Sequence, residues 1–148
     1  MQKQIIPDIV NTQSIITLET TASVHDAVQN MSTHNVSAVT IVDDQNKLVG
    51  IVSERDMTHR VLACGLSPQA TNVCEIMTKD VETLKPKDSA LDAIELMLSR
   101  NIRHLPVVDE NDNVLAMISI RDLMRRTRDD LDVEIAGDLK IAFAPTSV

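Results

Sequence analysis

Four serine–aspartate pairs with one spacing are the residues of this chain best suited to chemistry. In each pair the aspartate follows the serine by three positions, as in Ser23/Asp26, Ser53/Asp56, Ser89/Asp92 and Ser119/Asp122. The spacing is typical of a helix N-terminus, where a serine hydroxyl and a nearby carboxylate satisfy free backbone N–H groups. Capping is therefore the first interpretation of all four pairs.

Two of these pairs stand in a different context. Ser53 and Ser119 each follow an apolar β-strand directly, so their aspartates lie where a strand ends and a helix begins. Such places bind ligands, because unpaired N–H groups and the helix dipole attract anions. A carboxylate there accepts two hydrogen bonds from neighbouring hydroxyl groups, such as those of a ribose. Ser53, Asp56, Ser119 and Asp122 are therefore candidate ligand-binding residues.

The chain contains an internal repeat, and an internal repeat indicates two copies of one structural unit. Residues 37–60 align without a gap on residues 103–126, at an offset of 66 positions. The identical pairs are Thr17/Thr83, Leu18/Leu84, Ser23/Ser89, Asp26/Asp92, Ala27/Ala93, Met31/Met97, Asn35/Asn101, Val42/Val108, Asp43/Asp109, Ser53/Ser119, Arg55/Arg121, Asp56/Asp122 and Arg60/Arg126.

Each copy shows the pattern β-α-β-β-α. Apolar residues at helical spacing predict an amphipathic helix after Ser23 and after Ser89, and short polar turns between apolar runs predict hairpins. The predicted strands cover 15–18, 36–42 and 47–52 in the first copy and 81–84, 102–108 and 114–118 in the second. The predicted closing helices cover 56–63 and 122–130.

These elements predict an α/β (α+β) fold of two β-α-β-β-α modules. A three-stranded sheet leaves one face uncovered, so the two modules are expected to pack together through their sheets. The predicted modules span residues 5–66 and 72–130, and residues 131–148 form a C-terminal tail to which no structure is assigned.

Composition excludes several classes of function. A formal net charge of −8 argues against nucleic acid as the main ligand. No apolar run approaches the roughly 20 residues of a membrane span, and no signal segment opens the chain, so a cytoplasmic location is expected. Three dispersed glycines cannot build a phosphate-binding loop. Because Phe143 is the single aromatic residue, a bound base would lie between aliphatic side chains.

The repeat resembles a pair of cystathionine-β-synthase (CBS) domains. Three motifs carry the resemblance, GIVSERD at 50–56, AMISIRD at 116–122 and RHLPVVD at 103–109. It implies a non-catalytic regulatory module with two clefts, related by a pseudo-twofold axis, that bind an adenosine-containing ligand. AMP, ADP or ATP is expected ahead of NAD or S-adenosylmethionine, with no required cofactor and no metal. The expected partners are a second copy of the chain and an effector protein that the sequence does not identify.

The resemblance also implies which residues line the clefts. The aspartates would hold the ribose hydroxyls, and the serines would reach ribose or phosphate. The first cleft would consist of Asp56, Ser53, Thr78, Val81, Ile102, Arg103 and His104. The second would consist of Asp122, Ser119, Ile15, Val36, Ser37 and Ala38. Because Arg103 and His104 are assigned to the first cleft, phosphate is expected to bind more strongly there.

Two positions depart from the family pattern. Thr40 stands in the first copy where Pro106 stands in the second, and Ala116 stands in the second copy where Gly50 stands in the first. Because a methyl group at Ala116 would crowd a backbone approach, weaker occupancy is expected in the cleft of Asp122.

Two other functions remain open on the sequence. One is a structural dimerisation or partner-binding domain whose degenerate clefts are empty. The other is a small nucleotide-processing enzyme, which would need a base, a nucleophile or a metal cluster converging on one cleft. Cysteine and histidine do not recur at matching positions of the two copies, which disfavours the enzyme.

Overall fold

The computed structural model of the chain describes residues 3–11 and 15–130. The expectation for the tail at 131–148 lies outside the described residues. None of the helices in the described ranges combines the length and apolarity that crossing a membrane requires.

The first module follows the predicted order of elements. These are β1 (Thr17–Glu19), α1 (Val24–His34), β2 (Ala38–Val42), β3 (Leu48–Ser53) and α2, which is α-helical over Glu54–Asp56 and π-helical over Met57–Leu62. The central strand β2 is parallel to β1 and antiparallel to β3. All five residues of β2 are buried, as expected for a middle strand covered on both faces.

The second module repeats the helix–hairpin–helix part of this order. Its elements are α3 (Ala90–Arg100), β4 (His104–Val108), β5 (Val114–Ser119) and α4 (120–130). β4 and β5 are antiparallel. Asn35 and Asn101, which follow α1 and α3, adopt left-handed backbone conformations with φ of 51° and 52°. Asparagine tolerates this conformation, so its recurrence in the repeat has a structural cause.

The strand predicted at 81–84 is wrong in extent, because only a single bridge forms. The Leu84 N–H donates to the Pro106 carbonyl and the Val108 N–H donates to the Leu84 carbonyl, both at 2.9 Å. Alternate residues of a strand direct their N–H groups to the same side, so residue 106 would supply the next donor. Proline has no N–H, and the ladder stops there. The first module has Thr40 at this position, and its β1 pairs over three residues.

The two hairpin tips join the modules. The carboxylates of Asp43 and Asp109 each accept hydrogen bonds from backbone N–H groups two and four residues further on, which closes the turns. Lys47 and Asn113, at the starts of the second strands, then form an antiparallel bridge with each other. The modules are thereby connected through their sheets.

Each module is completed by a segment that precedes the other module in the chain, an arrangement that we call the segment crossover. Residues 3–10 pack on the second module, where Ile5 is fully buried and donates its N–H to the Asp88 carbonyl at 2.8 Å. Residues 72–78 pack on the first module, where Val73 is fully buried. The two core clusters therefore each contain residues that lie far apart in sequence.

Gly50 in β3 is covered by the second of these segments. A Cβ at this position would overlap the side chain of Met77, so a glycine permits the close approach. Its counterpart Ala116 in β5 is fully buried within the core cluster of the second module. The alanine is therefore accommodated as a core residue.

We expect Ile5→Ala and Val73→Ala to destabilise opposite modules. Loss of the buried Ile5 side chain should lower the free energy of unfolding by about 2–5 kcal/mol and accelerate amide exchange most in α3, β4 and β5. Val73→Ala should accelerate it most in α1, β2 and β3. Hydrogen–deuterium exchange followed by mass spectrometry distinguishes these patterns. Preferential acceleration in β2 and β3 for Ile5→Ala would contradict the segment crossover.

Candidate functional site

Ser53 and Asp56 form a capping box at the start of α2. The Ser53 backbone N–H and hydroxyl donate to Asp56 Oδ2 at 2.8 and 3.1 Å, and the Asp56 N–H donates to Ser53 Oγ at 3.4 Å. Ser119 and Asp122 repeat these contacts at the start of α4, with distances of 2.7, 2.9 and 3.3 Å. In both pairs a single carboxylate oxygen, Oδ2, accepts both hydrogen bonds from the serine.

Capping is confirmed for all four serine–aspartate pairs. Ser23 with Asp26 and Ser89 with Asp92 form the same reciprocal contacts at α1 and α3. Aspartate replaces the glutamate or glutamine that more often completes such a box. The serine–aspartate spacing therefore does not distinguish the candidate ligand-binding residues from ordinary helix caps. Only the surroundings of each pair can distinguish them.

The surroundings differ because two pairs lie at strand ends. β3 and β5 each end at the serine of their pair and lead directly into a helix. The residue that precedes the first strand of each hairpin, Ser37 or Arg103, also lies beside the start of the helix. The Glu54 N–H donates to the Ser37 carbonyl and the Ile120 N–H donates to the Arg103 carbonyl, both at 2.9 Å. Each strand-end aspartate is therefore flanked by a helix N-terminus and by a loop of the same module.

Strand register determines which predicted residues lie together. Ala38 is paired with Ser53 across β2 and β3, and His104 is paired with Ser119 across β4 and β5. Arg103 precedes His104, so both lie at the strand end of the second module. The assignment of these two residues to the cleft of Asp56, between the modules, stays a prediction. A hairpin brings the start of its first strand opposite the end of its second, which is the physical reason for this grouping.

We name the two groups by their aspartates. The Asp56 site is the strand end of the first module, which carries Ser37, Ala38, Ser53 and Asp56. The Asp122 site is the strand end of the second module, which carries Arg103, His104, Ser119 and Asp122.

The other predicted residues lie around these sites or in the cores beneath them. Thr78 forms an antiparallel bridge with Ile51 at the edge of the first sheet, two positions before the end of β3. Ile102 packs against the core of the second module and Val36 against that of the first. The remaining two, Ile15 and Val81, are half-buried.

Arg60 contacts the Asp56 carboxylate. Its Nε lies 3.4 Å from Asp56 Oδ1, and its Nη1 donates to the Ile76 carbonyl at 2.8 Å. Both oxygens of Asp56 are thus engaged, and its side chain is 13% exposed. No pattern in the sequence predicted this contact, because Arg60 and its repeat counterpart Arg126 are the same residue type.

The counterpart of Arg60 in the second module has a different partner. Arg126 Nε lies 3.7 Å from Asp130 Oδ1, and Lys3 Nζ contacts the same oxygen at 2.8 Å. Within the part of the chain that the structure describes, no hydrogen bond or ion pair to Asp122 Oδ1 is found. The two sites therefore differ in how much of the carboxylate is open to a ligand.

His104 gives the Asp122 site a titratable ring. Burial lowers its pKa below the usual value of about 6.5, while Asp122 and Glu54 act to raise it and Arg103 acts to lower it. The ring is therefore neutral near pH 7. Because Glu54 belongs to the first module, its effect on His104 shows that the two strand ends interact electrostatically.

A cavity of about 670 Å³ adjoins the strand ends, between α1, α2 and the start of α4. Its walls include Val36, Ser37, Met57 and Arg121. The volume falls in the range of small-molecule sites. Neither strand-end aspartate lines the cavity, which instead reaches the Asp122 site through the neighbouring Arg121.

We expect His104 to make the stability of the chain pH-dependent. Its pKa is lower in the folded chain than in the unfolded chain, so below about pH 6.5 the unfolded state binds more protons. The free energy of unfolding should therefore fall as the pH falls through this value. His104→Asn should reduce the fall, as measured by urea denaturation at about pH 7.5 and about pH 5.5. An equal fall in variant and wild type would contradict this role.

Comparison with known proteins identifies relatives of the chain. The family model of the CBS domain matches residues 6–63 and 73–129. The mitochondrial CBS domain-containing protein CBSX3 of Arabidopsis thaliana is 37% identical over 107 residues, which cover 70% of this chain and 52% of that protein. The CBS domain-containing protein YhcV of Bacillus subtilis is 34% identical over 118 residues, 80% and 81% of the two chains. Inosine-5′-monophosphate dehydrogenase of Methanocaldococcus jannaschii is 31% identical over 121 residues, but this chain spans only 23% of it.

Solved structures share the fold. A protein with CBS domains from Burkholderia ambifaria MC40-6 is 31% identical with a TM-score of 0.74, covering 93% of this chain and 90% of that one. The CBS domain pair of protein MJ0100, in complex with 5′-methylthioadenosine and S-adenosyl-L-methionine, is 27% identical with a TM-score of 0.78, covering 88% and 99%. The predicted α+β fold of two repeated modules is thereby confirmed. The chain belongs to the CBS domain family, as a pair of such domains in one polypeptide.

Proposed function

We propose that this chain is a non-catalytic, cytoplasmic regulatory module that binds an adenosine-containing ligand in clefts between its two CBS domains, at their strand ends. AMP, ADP and ATP are the first candidates, followed by NAD and S-adenosylmethionine. The observation that carries the proposal is the position of Asp56 and Asp122 at strand ends, beside helix N-termini. The related MJ0100 pair, which has the same fold, was solved with two adenosine-containing compounds.

Ribose recognition is compatible with helix capping. The cap uses Oδ2 of each aspartate, and a carboxylate has about four lone-pair positions, so ligand hydroxyls find further acceptors. The neighbouring hydroxyls of a ribose supply two donors. Hydrogen bonds to a charged group contribute about 1.5–3 kcal/mol each. Because all the candidate ligands share the ribose, the groups around the aspartates must select among them.

The base would lie against aliphatic walls. The chain has no tryptophan or tyrosine to stack on a purine. The cavity beside α4 includes the apolar side chains of Val36 and Met57 next to polar Ser37. Such a mixture of apolar walls and few polar groups is typical of small-molecule sites.

Turnover is not part of this proposal. Across residues 3–11 and 15–130, no three His, Cys, Asp or Glu side chains gather into a group that could hold a metal ion. The hydroxyls of Ser53 and Ser119 donate to carboxylates that cap helices, which is a structural use of these groups. Because these hydroxyls are engaged in capping, we propose binding without chemistry at the strand ends.

Replacing both strand-end aspartates should abolish the thermal response to AMP. In Asp56→Ala/Asp122→Ala the acceptors for the ribose are lost, and each charged hydrogen bond removed should weaken binding about 10- to 150-fold. The matched control is Asp26→Ala/Asp92→Ala, which removes two carboxylates with the same capping geometry. Both variants should lose about 1 kcal/mol of stability per cap.

Thermal unfolding with and without AMP, ATP or S-adenosylmethionine measures the outcome. Only the strand-end variant should lose the ligand-induced rise in Tm. If the wild type responds to no adenine compound, or if the control loses the response equally, the proposal fails. A partner-binding domain with empty clefts would then be the better interpretation.

We further propose that the chain forms a homodimer through its helices. Large apolar side chains are exposed on these helices, with Leu98 75%, Leu62 69% and Met124 65% exposed. Apolar groups in such numbers favour burial at an interface. A second copy of the chain presents the same apolar groups, so a twofold interface between identical surfaces would bury them on both partners.

Leu98→Asp should therefore shift the chain from dimer to monomer, because it buries a charge in the proposed interface. The control is Ser99→Asp, which adds the same charge to a neighbouring exposed position of α3. Sedimentation velocity over a range of concentrations measures both. A monomeric wild type, or dissociation by the control alone, would contradict the dimer.

A further inference from the structure

We infer that two copies of the chain dock head to tail: α3 and α4 in the second module of each copy cover the cavity between α1 and α2 in the first module of the other. This inference rests on the proposed homodimer and deepens it, because it states which surfaces meet. Its test does not depend on any ligand.

The second module presents an apolar stripe on the outer surface of α3. Leu91, Ile94 and Leu98 follow one another at the i, i+3, i+7 spacing of one helix face. Leu91 is 53% exposed, and Leu98 is more exposed still. Met124 adds an exposed apolar side chain on α4. Apolar side chains of this size are stabilised by burial against a partner.

The first module is different at the corresponding positions. At the repeat offset of 66 residues, His25 stands at the position of Leu91, and Ser32 stands at the position of Leu98. Both His25 and Ser32 line the cavity of about 670 Å³. One module therefore carries protruding leucines where the other module carries a hollow.

The cavity has an apolar end that lies away from the strand ends. Leu62 lines it there and is the last residue of α2, so roughly 12 Å of helix separates it from Ser53. Val28 of α1 also lines the cavity and is 39% exposed. A leucine from a second copy enters beside Val28 and Leu62, and the end that contains Ser37 stays open to a ligand. The second copy thus forms the outer wall of the cavity beside the strand ends.

Charge complementarity favours a second copy as the occupant. Glu95 lies between the two exposed leucines of the stripe and is itself exposed. Arg121 lines the cavity and is also exposed. Within the part of the chain that the structure describes, neither side chain has a hydrogen bond or an ion pair. Docking of the stripe on the cavity brings Glu95 of one copy to Arg121 of the other. Glu54 also lines the cavity, so this pairing requires Glu95 to lie nearer to Arg121.

A twofold axis closes this arrangement. When the second module of one copy contacts the first module of the other, symmetry generates the reverse contact, so that both stripes and both cavities are covered. Contact between two second modules would instead bury the leucines against each other and leave both cavities open. The complementary surfaces therefore favour the head-to-tail arrangement.

Disulfide cross-linking between two variant chains tests the orientation. Cys64→Ser/Cys74→Ser removes the two native thiols. In this background a tagged Val28→Cys chain is co-expressed with an untagged Leu98→Cys chain, and oxidation should join one to the other. Leu98→Cys alone should not cross-link to itself. The matched control is Asn111→Cys, at the exposed hairpin tip of the second module, which should give no mixed product with Val28→Cys.

Exchange of the two charges tests the proposed ion pair. Glu95→Arg and Arg121→Glu should each weaken the dimer about 2- to 5-fold, as expected for a pair near solvent. The double variant Glu95→Arg/Arg121→Glu should restore the wild-type dissociation constant, because the opposite charges meet again. Sedimentation velocity over a range of concentrations measures all three.

Self-cross-linking of Leu98→Cys, equal mixed product with Asn111→Cys, or no mixed product in a dimeric protein would overturn the head-to-tail arrangement while leaving the homodimer intact. Additive losses in the double variant would overturn the contact between Glu95 and Arg121, and with it this register of docking. If the wild type is monomeric at every concentration, the proposed homodimer fails and the inference fails with it.

Discussion

Burial of two connecting segments is the constraint on which the rest of the structure depends. Ile5 packs in the core of the second module, although it precedes the first module in the chain. Val73 packs in the core of the first module, although it precedes the second. If the modules were separated, each would expose part of its own core and also the apolar residues of the segment that precedes it, such as Ile5 or Val73. Because the cost of exposing apolar surface rises with its area, the two modules are more stable together than apart. The bridge between the hairpin tips and the contact of Lys3 with Asp130 add polar links to this union.

The strand ends show how one group serves the fold and a ligand together. A helix that starts directly after a strand needs an acceptor for its free N–H groups, and an aspartate three residues after the serine provides it. This places a carboxylate beside a helix N-terminus in each module. α1 and α3 use the same cap away from any strand end, so the local chemistry is the same in all four places. Only the tertiary surroundings separate a structural cap from a candidate binding group.

Divergence between the two copies is concentrated at a few positions with large local effects. Proline in place of threonine on the central strand removes one backbone donor and shortens the adjoining ladder to one bridge. Arg60 is followed four positions later by Cys64 and contacts Asp56, whereas Arg126 is followed four positions later by Asp130 and lies near it. Arg103 and His104 stand in the second copy where Ser37 and Ala38 stand in the first, so one module carries an additional cation and a titratable ring. A duplicated module thus retains its fold while its two strand ends acquire different electrostatics.

The sequence by itself determined the repeat, the two modules, the helices, the hairpins and the capping role of the four serine–aspartate pairs. These features follow from local periodicity, turn residues and cap spacing, which act over a few neighbouring residues. It also singled out Ser53, Asp56, Ser119 and Asp122, because the position of a motif directly after a predicted strand can be identified from the sequence alone. Only the tertiary structure decided that residues 3–10 and 72–78 pack on the other module, and that Arg60 contacts Asp56 while Arg126 lies near Asp130. Those outcomes depend on packing between distant segments and on competition between charged partners, and neither leaves a pattern in a single sequence.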